Sequence, residues 1–181
     1  EERRTSIIDF FATRTADDYL EYTGLVEIAA KLATGRHDDD SSADLRRILA
    51  SPHGDMFWMA PVTLVTLVGR EHLSREDSDL LKSNWHDYPP DRGDTENHWL
   101  MYYASLYLIS EVYPGEPGSF WFNGKSSDEN RAEAAEYIEH WIDLTVTVGQ
   151  IEFDSPHYMA FFVLPLALLH GWAEDEELRR R

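Results

Sequence analysis

Two short polar clusters stand out because each opens a stretch that is otherwise apolar. The first is Glu96-Asn97-His98, just before Trp99 to Ala104 and Leu106 to Ile109. The second gathers Glu152, Asp154, Ser155, His157 and Tyr158 at the head of the run from Tyr158 to Leu169. A helix starting at either place has free first-turn N–H groups and the positive end of its dipole there, so it can hold an anion. Histidine titrates near neutrality and suits proton abstraction, and a tyrosine hydroxyl can hand a proton to a leaving oxygen. Glu96 and Asp154 could instead form the acid and base or nucleophile of a glycosidase, whose carboxyl pairs stand ~5 Å or ~6.5–9.5 Å apart. His98, Asp154 and His157 match no metal-ligand spacing, so neither a metal nor a cofactor is expected. The plainer reading is that Asn97 and His98 serve the helix start and Tyr158 packs in the core with its hydroxyl paired.

Helical signals surround both clusters. Thr15 with Asp18 makes a capping-box pattern ahead of Tyr22, Leu25, Ile28, Ala29 and Leu32, and Gly35 ends that helix. A short helix is predicted over 43–50, then an apolar one from Asp55 to Val68 that contains Pro61. Ser74 and Asp77 cap the next, Thr95 opens one to about Val112, and Ser126 with Glu129 caps one from Asp128 to Val148. Ser155-Pro156 is an N-cap and N1 pair for a helix to Trp172, with a kink expected at Pro165.

These helices are of two kinds. The one from Asp128 puts Ala134, Tyr137, Trp141, Leu144 and Val148 on one face and acids on the other, so one side is wet. Those from Thr95 and Pro156 are apolar all round, the pattern of helices buried on every side. Buried and half-wet helices alternate, as in the outer and inner rings of an α/α-toroid or in a stack of helical hairpins. The loops at 86–94 and 114–125 are rich in Pro and Gly. They carry or adjoin Trp85, Tyr88, Phe120, Trp121 and Phe122, which can stack on sugars or cover the end of the core. No linker divides the chain, so residues 1–181 read as one all-α domain.

Charge narrows the partners. The chain carries −18, from 17 Asp and 17 Glu against 13 Arg and 3 Lys, which excludes a phosphate-neutralising nucleic-acid surface. Abundant acid with little lysine resembles a surface adapted to high salt, where self-repulsion is screened. Tyr158 to Leu169 is too short to span a bilayer, and without cysteine there is no disulfide framework.

TENHWLMYYASLYL, WFNGK and EFDSPHY resemble the α/α-toroid polysaccharide lyases, the alginate lyase and heparinase II/III-like group. That resemblance covers about residues 94–172 and implies β-elimination on a uronate-containing polysaccharide, in a secreted or cell-surface setting. It implies that Asn97 stabilises the substrate carboxylate, that His98 is the base and that Tyr158 protonates the leaving oxygen or serves as base for the other epimer. Glu96, Asp154, His157, Trp121 and Arg131 are then expected to bind substrate. The family's arginine near the tyrosine is missing from EFDSPHYMAF, and Arg92, Lys125 or Arg131 is expected to supply positive charge. The helices read here are too few to close a ring. Apolar surface should therefore be exposed at its ends, or covered by a second copy or a further segment. A non-catalytic toroid that binds glycan or protein is the alternative.

Overall fold

The computed structural model describes residues 2–14, 21–52, 55–88, 91–152 and 155–181. Among them the secondary structure is helical, with no strand. The helices are α1 (Glu2–Ala12), α2 (Glu21–Ala33), α3 (Asp39–Leu49), α4 (Met56–Gly69), α5 (Arg75–Asp87), α6 (Glu96–Val112), α7 (Ser127–Val148), α8 (Pro156–Trp172) and α9 (Glu176–Arg180). The protein is all-α, as its hydrophobic periodicity predicts. The periodicity does not predict α1, which buries only Ala12, or the five-residue α9. The Thr15–Asp18 capping pattern lies outside the described residues.

Side-chain caps set the helix starts. Ser74 Oγ accepts from the Asp77 N–H at 3.1 Å, and the Ser126–Glu129 box is complete in both directions. Asp55 Oδ1 accepts from the Trp58 N–H at 3.0 Å at the head of α4. Each such cap is worth about 1 kcal/mol.

The helices group into two compact units: Glu1–His53 with Pro61–Tyr88, and Gly54–Ala60 with Pro89–Arg181. One break falls inside α4, ahead of Pro61, where no composition shift marks it, and another at Tyr88/Pro89 falls in the Pro-rich 86–94 loop. In the first unit α1 packs on α2, α2 on α3, and α3 on α5 around buried Leu25, Ile28, Leu45, Ile48 and Leu81. Trp85 and Tyr88 are buried there as well, so they close the core.

In the second unit α6 packs against α7 and α8, and every residue from Leu100 to Glu111 is buried. Leu100, Trp141 and Phe162 form its centre, flanked by Tyr137, Ile142 and Leu166. Two expectations change here. α8 is apolar all round, yet it buries only Phe162, Pro165, Leu168 and Leu169, because α6, α9 and the Trp141 ring of α7 cover only part of its circumference. On α7, Ala134, Ile138 and Trp141 face inward, but Leu144 and Val148 are exposed. α8 continues through Pro165, whose ring leaves the Phe161 carbonyl without its intrahelical donor.

Candidate functional site

The second unit brings the two polar clusters to one end. Leu100, near the start of α6, packs with Phe162, near the start of α8. At the other end the Glu174 N–H, just past α8, donates to Glu111 Oε2 in the last turn of α6 at 3.1 Å. The two helices therefore run parallel, with their starts together. Neither Thr95 nor Ser155 makes a side-chain cap bond at these starts, whereas α3, α5, α7 and α9 are capped by side chains. Uncapped first turns keep N–H groups and dipole ends available to an anion.

Asn97 is fully buried. Its Oδ1 accepts from Thr95 Oγ1 at 2.9 Å, and its Nδ2 meets no partner among the described residues. Its amide is packed inside the helix start, away from solvent. His98 is half-buried and meets Phe57 edge-on, with ring centroids 5.2 Å apart. Its Nδ1 is buried without a hydrogen-bond partner among the described residues and lies against Gly93, where an added Cβ would stand 2.5 Å away. Gly93 also holds φ at +71°, so glycine is required there both for conformation and for space.

His98 borders a cavity of about 480 Å³ with Asp55, Met56, Phe57, Asp91, Gly93 and Asp94. Asp55 is committed to capping α4, and Asp91 Oδ1 accepts from the Gly93 N–H at 2.9 Å. Two of its three carboxylates thus hold backbone. Sequence reasoning missed this lining; the capping position of Asp55 was the available signal.

Tyr158 is 41% exposed and does not line that cavity. A run of ring contacts links it to His98. Phe57 meets Phe161 at 5.1 Å, and Phe161 meets exposed His157 at 5.6 Å and Tyr158 at 6.3 Å. Glu96 is tied at both oxygens: Trp141 Nε1 donates to Oε1 and the Ile151 N–H to Oε2, each at 2.7 Å. The second bond brings the Glu152 segment to the start of α6, and Glu152 Oε2 is also buried without a partner among the described residues. Asp154, and with it the Glu96–Asp154 separation, lies outside the described residues.

Two expected substrate contacts stand elsewhere. Trp121 is 3% exposed and its Nε1 donates to Ser127 Oγ at 3.1 Å, so its ring belongs to the core and presents no face to a sugar. Arg131 is exposed beside Tyr107 and Glu111, about 20 Å along α6 from Asn97 at ~1.5 Å per residue. Burial pushes the pKa of both groups up, and the Arg131 charge opposes that.

Arg92 is closer to the site. Its guanidinium lies 3.8 Å over the Trp99 ring, and its Nη1 donates to the Tyr103 hydroxyl at 2.7 Å. Tyr103 stacks on Tyr137 at 4.3 Å and donates to Glu133, which also pairs with Lys125. Burial raises the pKa of neighbouring Tyr102 to about 12. This aromatic clamp holds the 91–94 segment against α6. Only the one-turn spacing of Trp99 and Tyr103 hinted at it.

Among the described residues, no group of three His, Asp or Glu could hold a metal, and no helix is long and apolar enough to cross a membrane. No family model, curated protein or solved structure matches this chain.

Proposed function

We propose that the second unit carries a lyase-like centre that cleaves a uronate-containing polysaccharide by β-elimination. The observation behind this reading is the meeting of the α6 and α8 starts. Neither N-cap side chain, Thr95 or Ser155, makes a cap bond there, and the buried polar atoms of Asn97, His98 and Glu152 left without partners among the described residues gather at these starts. Orphaned buried polar groups are uncommon and call for a reason. The motif resemblance falls on the same residues.

The uronate carboxylate is held by the two helix starts. His98 takes the proton from the carbon beside the carboxylate, and Tyr158 gives its hydroxyl proton to the leaving glycosidic oxygen. The C–H bond beside the carboxylate breaks, a double bond forms as the glycosidic C–O bond breaks, and the leaving oxygen takes up a proton. No water is consumed. Asn97 braces the first turn of α6 from inside.

The test is ultraviolet absorbance of the unsaturated uronate product on a panel of anionic polysaccharides. Tyr158→Phe keeps the ring and should lower cleavage by ~10²–10⁴-fold, the usual worth of a general acid or base. Equal cleavage by the variant would reduce Tyr158 to a surface aromatic. No cleavage of any panel member by the wild type would turn the site toward glycan binding.

A further inference from the structure

α6 and α8 are both apolar all round, yet they are covered differently. From Leu100 to Glu111, α6 is entirely buried by helices packed along it. α8 leaves Met159 43% and Val163 54% exposed. Beside them, α7, α8 and α9 enclose a cavity of about 620 Å³, within the ~300–1,000 Å³ of binding clefts. Its apolar wall is Ile142 and Val146 of α7 with Met159, Val163 and Leu166 of α8. The α8 residues recur at i, i+4 and i+7, one ridge of a helix surface, which is the relief that another helix packs against.

One end of the groove is basic. Arg179, Arg180 and Arg181 all line it on a chain of net charge −18. Arg181 bonds to Asp143, and Arg180 pairs with Glu176 at 2.9 Å. Arg179 Nε donates to the His170 carbonyl at 3.0 Å and meets no carboxylate among the described residues.

We propose that this groove seats one amphipathic helix of a partner protein, laid along α8. Its apolar stripe rests on Val146, Met159 and Val163, and carboxylates at one of its ends meet Arg179. The cover that buries α6 is itself helical, and α8 has the same apolar character. From Met159 to His170 the groove runs roughly 16 Å, about three helical turns, a length suited to helix-in-groove recognition.

The probe is a fluorescein-labelled synthetic helix of about 16 residues, with leucines at i, i+4, i+7 and i+11 and glutamates in one terminal turn. Its binding to the full chain is read by fluorescence polarisation. Saturable binding is expected, weakened at least about tenfold by Val163→Glu, a change in the middle of the contact. Arg179→Gln should weaken it severalfold and reduce its salt dependence. Val163 is exposed, so far-UV circular dichroism and melting temperature should match the wild type. Absence of saturable binding, or equal binding by Val163→Glu, overturns the proposal. Sedimentation of the chain alone provides the second arm. A dimer abolished by Val163→Glu would assign the groove to a second copy and overturn the partner helix.

Discussion

The indole N–H of Trp141 donates to Glu96 at 2.7 Å and so fastens the middle of α7 to the first turn of α6. The other Glu96 oxygen takes the Ile151 N–H, which fixes the turn after α7. In Glu96→Gln one donor would face an amide NH₂. That variant should lose about 0.5–1.5 kcal/mol of stability, the usual net worth of one hydrogen bond. Denaturant unfolding measures it. An unchanged midpoint would show the carboxylate to be free for chemistry, as a glycosidase reading requires.

Arg92 should not be replaceable by lysine. Its planar guanidinium both stacks on Trp99 and reaches the Tyr103 hydroxyl, and an ammonium cannot do both. Arg92→Lys is expected to cost about 1 kcal/mol, or roughly 2–4 °C in melting temperature for a chain of this size. Near-ultraviolet circular dichroism should change with it. An unaltered aromatic signal would mean that the clamp does not order the 91–94 segment.

Glu111 makes stability depend on pH. Burial pushes its pKa above the ordinary 4.5, although bonds from the Glu174 N–H and the Tyr107 hydroxyl pull it back. Below 4.5 the carboxyl is protonated in both states and its contribution is intact. As pH rises toward the folded-state value, the unfolded chain releases its proton first and stability is lost. Glu111→Gln cannot ionise, so its melting temperature relative to wild type should climb between about pH 4 and pH 7. A difference constant across that range would contradict this.

Salt should stabilise the fold. With −18 on the chain, raising ionic strength from 0.1 M to 1 M shortens the screening length from ~10 Å to ~3 Å and damps self-repulsion. Melting temperature should rise across that range. A flat response would show the acids to be balanced locally, as Arg46 is with Asp77 at 2.6 Å.

Helicity and the start of most helices are legible in the sequence alone. Ser74 and Ser126 cap within one turn, Pro156 suits the first helical position by its fixed backbone angle, and the period of buried side chains is likewise a local property. The sequence also marked α6 as a core helix, because an all-apolar circumference has no wet side to offer. Tertiary structure alone decided the site. Glu96 is committed to partners 45 and 55 residues away, Trp121 turns inward to Ser127, and Arg131 stands at the far end of α6. It decided as well that α8, apolar like α6, keeps one side open. Local pattern encodes which residues prefer burial. Which of them are covered, and which polar atoms meet, depends on contacts between distant segments that no short-range periodicity specifies.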